Sequence, residues 1–139
     1  MSDFLPVLRL LCALLGMFAG AILVPLAASL YANDGLWECY VISILVTLLV
    51  SAILWGCTRK HQRDLLPRHG VMLVSMVWVI LPVFAALPLL LASYAIGQPL
   101  SLTHAYFEAV SGLTTTGATV MSNLDALPLS VNIWRTFMQ

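Results

Sequence analysis

Charged side chains are scarce in this sequence: only 9% of its 139 residues are Asp, Glu, Lys or Arg. A soluble globular domain carries about 25% charged residues, so these few side chains cannot cover a surface that faces water. The composition is 61% hydrophobic. Lipid is therefore the solvent for most of the chain, and we predict an integral membrane protein.

The sequence also lacks the patterns of several functional classes. Its formal net charge is zero, which gives no electrostatic reason to bind nucleic acid. Its three cysteines, Cys12, Cys39 and Cys57, have the spacing of neither a disulfide framework nor a metal site. No nucleophile has an evident base, and no glycine-rich phosphate loop is present. We therefore expect no enzyme, no nucleic-acid partner and no bound cofactor; an intramembrane enzyme is a weak third hypothesis.

Long runs without charge are the main positive feature. They cover 10–31, 39–57 and 71–96. A helix needs about 20 apolar residues to cross a bilayer, so we predict three spanning helices, the first of them retained rather than cleaved as a signal peptide. Pro25 predicts a kink in the first helix. Gly16 and Gly20 have the G-x-x-x-G spacing of close helix contacts, although glycine is also simply common in membrane helices.

Basic residues predict the orientation, because they remain on the cytoplasmic side. Four lie in the loop at 58–69 and one, Arg9, lies in the N-terminal tail, whereas 32–38 and 97–134 contain none. We therefore predict a cytoplasmic N-terminus, a cytoplasmic basic loop, and an external position for the other two stretches.

The stretch after the third run differs from an ordinary external loop. Ser101 or Thr103 can cap a helix over 104–113, which at about 15 Å is half a bilayer long. The threonine-rich segment, residues 114–120, follows with the sequence T-T-T-G-A-T-V. Threonine disfavours helix, and Gly117 permits unusual backbone angles. We therefore predict a half-length helix followed by extended backbone.

Extended backbone at membrane depth suits an ion filter. Such backbone is tolerated only where it is buried in protein or lines a wet cavity. Its carbonyl groups can replace the water shell of a cation, as they do in potassium-channel filters. The C-terminal end of a half-helix also carries partial negative charge that favours a cation. The residues alone leave a second interpretation open, in which a threonine-rich surface loop follows a short amphipathic helix.

Two charged residues near this segment each have two interpretations. Glu108, inside the half-helix, either acts at the outer mouth or ties the half-helix to its neighbours, or else lies on a solvated face. Arg135 either anchors the last helix at lipid headgroups or pairs with Glu108.

Residues 105–120, A-Y-F-E-A-V-S-G-L-T-T-T-G-A-T-V, resemble the first pore loop of the Trk/Ktr/HKT family of potassium transporters, and most of all the N-terminal part of its bacterial TrkH/TrkG membrane subunit. L-P-R-H-G at 66–70, A-L-P at 86–88 and N-I-W-R-T-F-M-Q at 132–139 are also similar. The resemblance implies an all-α membrane protein. Three spanning helices, a re-entrant pore half-helix with an extended filter loop, and the start of a further helix would form the first repeat of a potassium-channel-like pore.

The resemblance also implies how the chain is divided and where ions bind. Residues 1–57 would be two leading transmembrane helices, 58–69 the basic cytoplasmic loop, and 70–139 the first helix–pore loop–helix repeat, incomplete. The first filter strand would consist of Thr115, Thr116, Gly117 and Ala118, flanked by Thr114 and Thr119. Potassium would bind the backbone carbonyls of Thr115, Thr116 and Gly117. His104 departs from the family, which has an acidic residue there.

The implied partners are the lipid bilayer, the remaining repeats of the same transporter, a second copy in a homodimer, and a cytoplasmic nucleotide-binding regulatory subunit. Potassium is the substrate, and the implied location is the bacterial inner membrane. One filter strand is a quarter of a ring, so we expect an N-terminal fragment of the pore-forming subunit that does not conduct alone. The alternative is a non-transporting membrane scaffold or accessory subunit.

Overall fold

The charge-free runs are helical in the computed structural model, which describes residues 4–58, 67–122 and 124–139. Six α-helices occur in those ranges: α1 (Phe4–Ala21), α2 (Leu23–Ala32), α3 (Trp37–Thr58), α4 (Pro67–Ala95), α5 (Leu102–Leu113) and α6 (Leu129–Met138). A 3₁₀ turn covers Leu124–Ala126, and the described residues include no strand.

Three helical stretches are long and apolar enough to cross a membrane: Pro6–Ala32, Trp37–Thr58 and His69–Ala95. They confirm the three predicted spans, with small differences at the ends. Most of the predicted basic loop falls on 59–66, which lies outside the described residues.

Pro25 divides the first span. It has no N–H to donate to the carbonyl of Ala21, four residues earlier. Accordingly, α1 ends at Ala21 and α2 begins at Leu23, with Ile22 between them. The predicted kink is confirmed as a break between two helices within one membrane-length stretch.

The two leading spans pack through small and polar side chains. The Ser51 hydroxyl donates to the carbonyl oxygen of Cys12 at 2.7 Å. A Cβ added at Gly16 would lie 3.5 Å from Ser51 Oγ, whereas one added at Gly20 would meet nothing within 4 Å among the described residues. Gly16 therefore belongs to a helix contact, and Gly20 does not.

The turn between α2 and α3 contains an ionised carboxylate. Asn33 and Gly35 have positive φ angles of 50° and 75°, which Asn and Gly tolerate. Between them, Asp34 accepts hydrogen bonds from the hydroxyls of Ser29 and Ser130 and from one backbone N–H. Partial burial raises the pKa of the Asp34 carboxyl, but these hydrogen bonds outweigh it and hold the pKa below its ordinary value.

Helix α5 runs back along α4 from the last turns of α4 to its middle. Leu102, the first residue of α5, lines one cavity with Leu90. Leu113, the last residue of α5, lines another with Val77. Because α4 ends at Ala95, the C-terminus of α5 lies beside the central part of α4.

Trp134 fixes α6 to the other helices. Its side chain is fully buried, and its indole N–H donates to the carbonyl oxygen of Ala85 on α4 at 3.1 Å. Its ring meets Phe18 of α1 edge to face, with 5.8 Å between ring centroids. A buried tryptophan contributes a large apolar area and needs a partner for its N–H, and this one has both.

Gly112 marks a close approach of α5 and α6, which leads to a stability prediction. A Cβ there would lie 3.1 Å from Met138 Cβ, and overpacking of this kind costs about 1–3 kcal/mol. We expect Gly112→Ala to be less stable than Gly20→Ala by about that amount, because both changes gain the same helix propensity. Thermal unfolding in detergent measures the difference. Equal unfolding temperatures would show that α5 and α6 separate without cost at Gly112.

Candidate functional site

Serine side chains set the start of α5. The Ser101 hydroxyl accepts a hydrogen bond from the N–H of His104 at 3.1 Å, so Ser101 is the N-cap of the two candidates named from the sequence. Just before it, the Ser93 hydroxyl accepts from the N–H of Leu100 at 3.0 Å. The resulting helix has 12 residues and is about 18 Å long, too short to cross a bilayer. His104 itself is exposed.

The threonine-rich segment has no regular secondary structure, and two of its residues have positive φ angles. Gly117 has a φ of 72° and Thr115 a φ of 55°. The expectation of extended backbone is wrong at Thr115. This residue lies in the left-handed region, which β-branched residues rarely adopt. The reason is that the N–H groups of Thr115 and Thr116 donate to the carbonyls of Gly112 and Ser111, at 2.8 and 2.9 Å. Bonding the open carbonyls at the end of α5 outweighs the local preference of threonine.

Six of the seven carbonyl groups of this segment have no protein donor among the described residues, and Ala118 is the exception. Among the described residues, no N–H or O–H group donates to the carbonyl oxygens of Thr115, Thr116 or Gly117. Ala118 differs, because its carbonyl oxygen accepts from the Ser111 hydroxyl at 2.6 Å. Three of the open carbonyls belong to the residues named from the sequence as potassium ligands, whereas that of Ala118 already has a partner.

Glu108 holds the end of the threonine-rich segment. Its side chain is buried, with 4% of the residue exposed, so the interpretation of a solvated face is wrong. One carboxylate oxygen, Oε1, accepts from the hydroxyl of Thr119 at 2.5 Å and from the N–H of Val120 at 2.6 Å. The N–H of Met121 donates to the same oxygen at 3.3 Å. Glu108 therefore ties the half-helix to the end of the threonine-rich segment.

Arg135 of α6 pairs with the second oxygen of the same carboxylate. Its Nε and Nη2 atoms lie 3.3 and 3.2 Å from Glu108 Oε2, and Nη2 also donates to Thr119 Oγ1 at 3.1 Å. The two side chains are 12% and 3% exposed. Of the two roles left open for Arg135, the structure shows pairing with Glu108. The pair joins α5, Thr119 and α6.

Hydroxyl groups provide further support around the segment. The Thr114 hydroxyl donates to the carbonyl oxygen of Val110 at 2.8 Å. It also lies 2.8 Å from the hydroxyl oxygen of Thr116. Ser111, which bonds the segment through both its hydroxyl and its carbonyl, was not singled out from the sequence. A serine inside an apolar helix is a weak signal, because only its burial shows that it needs an internal partner.

The arrangement suits a cation stripped of water. The open carbonyls follow the C-terminus of α5, which carries partial negative charge, and carbonyl oxygens are the ligands of potassium filters. In the part of the chain that the structure describes, no group of three His, Cys, Asp or Glu side chains is placed to hold a metal ion.

Comparison with known proteins identifies the family. Residues 38–139 match the family model of TrkH, which is described as a cation transport protein. This chain belongs to the TrkH family. The match confirms the resemblance found in the sequence, and a family of transport proteins agrees with the expectation that the chain is not an enzyme.

Individual TrkH relatives cover nearly the whole chain. The Trk system potassium uptake protein TrkH of Halomonas elongata is 37% identical over 133 residues, which are 96% of this chain and 27% of that protein. TrkH of Escherichia coli K12 is 32% identical over 136 residues, or 98% of this chain and 28% of that protein.

A solved structure gives the same result for the fold. The crystal structure of the potassium transporter TrkH from Vibrio parahaemolyticus matches with a TM-score of 0.88 at 35% identity, over 97% of this chain and 28% of that one. The chain therefore spans just over a quarter of the length of these relatives, and it has the all-helical, multi-pass membrane fold of the TrkH family.

Proposed function

We propose that this chain contributes the first filter segment of a potassium transport pore. The observation that carries this proposal is that the carbonyls of Thr115, Thr116 and Gly117 are open in a segment held by bonds to α5 and α6. The TrkH relatives are named as potassium uptake proteins, which supports potassium as the cation.

The path of the chain supports a re-entrant arrangement. Helix α5 descends from the end of α4 to its middle, as described above. Where the threonine-rich segment ends, Val120 and Met121 line a cavity of about 240 Å³ together with Gln98 and Pro99, which precede α5. The segment would thus enter and leave on the same side, so that Thr115–Gly117 lie near mid-membrane depth.

In this arrangement the segment provides one side of a filter. A dehydrated potassium ion needs carbonyls from several directions, and the remaining repeats of the same transporter would supply them. Potassium passes as the substrate, and this chain binds no cofactor. The outer-mouth role predicted for Glu108 stays a prediction; its contacts give it the additional role of fixing the backbone at Val120.

Location and partners complete the proposal. The basic residues support a cytoplasmic N-terminus, and the family resemblance supports the bacterial inner membrane as the location. Homodimer formation and a cytoplasmic nucleotide-binding regulatory subunit follow from the family resemblance alone.

Growth of a bacterium that lacks its own potassium uptake systems tests this function. The strain would express either this chain or the complete reading frame that encodes it, at limiting potassium. We expect the complete reading frame to restore growth and this chain alone to fail. Immunoblots of membrane fractions control for the amount of each protein.

Two other outcomes would revise the proposal. If neither protein restores growth although both reach the membrane, the non-transporting scaffold or accessory subunit becomes the better interpretation. If this chain alone restores growth, several copies of it assemble a pore. The proposal that other repeats of the same polypeptide complete the filter is then wrong.

A further inference from the structure

A carboxylate in the turn between the leading helices is bonded to the start of α6. Asp34 Oδ1 accepts from the Ser29 hydroxyl and from the N–H of Leu36 at 3.1 Å, and Oδ2 accepts from the Ser130 hydroxyl at 2.5 Å. The Tyr40 hydroxyl donates to Ser130 Oγ at 3.0 Å. This cluster, Ser29, Asp34, Tyr40 and Ser130, joins α2, α3 and α6, and we call it the turn cluster.

Three of the four members of the turn cluster are buried although they are polar, and Asp34 is partly exposed. Ser29, Tyr40 and Ser130 are each at most 1% exposed. A buried polar group that loses its partner costs about 1–3 kcal/mol, so each of these bonds constrains the position of its neighbours. Helix α6 has no side-chain cap of its own. The negative charge of Asp34 beside its first turn is therefore favourable to the helix N-terminus.

One member of the turn cluster, Ser130, lies on the same helix as the arginine that holds the threonine-rich segment. Ser130 and Arg135 are five residues apart on α6, or about 7.5 Å along the helix axis. Arg135 bonds Glu108, and Glu108 accepts the N–H of Val120. Phe18 and Trp134 provide a second contact between the leading helices and α6. A displaced α6 start would thus move the ion pair that anchors the segment.

We propose that Asp34 is a positioning residue for cation selection: by holding the first turn of α6, it sets where Arg135 meets Glu108 and hence the shape of the threonine-rich segment. The two leading helices, which lie outside the pore repeat, then take part in discriminating potassium from sodium. This inference rests on the proposed function.

Transport measurements on the complete reading frame test the role of Asp34. Asp34→Asn removes the charge while keeping the size of the side chain. We expect the ratio of potassium to sodium uptake to fall by about fivefold or more, in the range of typical coupling between two sites, at an unchanged amount of protein in the membrane. Ser130→Ala, which breaks the same contact from the other side, should lower the ratio in the same direction.

Glu38→Gln is the matched control. Glu38 is another acidic residue close to the same turn, but it is exposed and makes no hydrogen bond through its side chain among the described residues. This change removes the same charge from the same region, and we expect an unchanged ratio. A reduction equal to that of Asp34→Asn would assign the effect to surface charge and overturn the positioning role.

A merely structural role gives a different result. If Asp34→Asn and Ser130→Ala lower uptake only in proportion to the protein in the membrane, with the potassium-to-sodium ratio unchanged, the inference is wrong. Should both variants fail to reach the membrane, Tyr40→Phe decides, because it removes a single hydroxyl from the turn cluster. A normal ratio in that variant would then count against the proposal.

The inference and the proposed function fail in different ways. If the unaltered complete protein does not transport potassium, the proposed function fails. If it transports potassium and a change at Gly117 alters selectivity while changes in the turn cluster do not, only the positioning role of Asp34 fails.

Discussion

In the complete reading frame, we expect Glu108→Gln to reduce the rate of potassium uptake by about tenfold or more. The change leaves Arg135 opposite a neutral amide, and breaking a buried ion pair from one side costs about 3–5 kcal/mol. Because 12% of the arginine side chain is exposed, the cost should lie at the lower end. In the native protein one carboxylate oxygen accepts from Val120 and the other from Arg135. The amide of glutamine has a single oxygen, so it can keep only one of these two contacts.

The measurement is initial uptake of potassium or of rubidium as its tracer, normalised to protein in the membrane. Thermal unfolding of the purified variant separates loss of fold from loss of transport. Asp125→Asn is the control, since Asp125 is an exposed acidic residue that follows the threonine-rich segment. Wild-type uptake by Glu108→Gln would mean that the ion pair is dispensable for holding the segment.

The second large effect concerns Gly117, where we expect serine to weaken the preference for potassium over sodium. Gly117 has a φ of 72°, and a Cβ there would meet nothing within 4 Å among the described residues. The cost of serine is therefore conformational, about 1–2 kcal/mol for a left-handed residue. The backbone can relieve this cost by rotating, which would turn the open carbonyls of Thr116 and Gly117 away from a shared ion.

Gly97→Ser separates backbone strain in general from strain at the filter. Gly97, in the turn between α4 and α5, has a φ of 73° and equally open space around its Cβ position. Both serines should cost similar stability, but only Gly117→Ser should change the ratio of potassium to sodium uptake. Competition between the two ions in uptake assays measures that ratio. An unchanged ratio for Gly117→Ser would contradict the assignment of residues 115–118 to the filter.

The membrane spans could be predicted from the sequence because the bilayer imposes a length on any apolar helix. The ends of the helices were predicted less accurately from the sequence. Helix α1 begins at Phe4, before Arg9, because a charged residue near the end of a span can remain helical while its side chain finds a partner. The guanidinium of Arg9 lies 5.3 Å from the ring centroid of Trp55, which is a cation–π contact.

The contacts that build the site could be predicted only in part. The residue types and their order indicated a half-length helix and a filter, but Glu108 and Arg135 are 27 residues apart, and no periodic pattern links them. The left-handed Thr115 runs against the preference of its own side chain, so local propensity predicts the opposite. The ion pair depends on the packing of α5 against α6, and the backbone of Thr115 depends on the carbonyls at the end of α5.

The bond between Asp34 and Ser130 also bears on how the protein is assembled during synthesis. The two residues are 96 positions apart, which at 5–20 residues per second corresponds to roughly 5–20 s of translation. Over that interval the leading hairpin already has both of its helices, but the carboxylate in its turn has no hydroxyl from α6 to bind. Helices α1 and α3 are therefore available to pair before α6 can dock. Water at the membrane surface solvates Asp34 until the ribosome has delivered the rest of the chain.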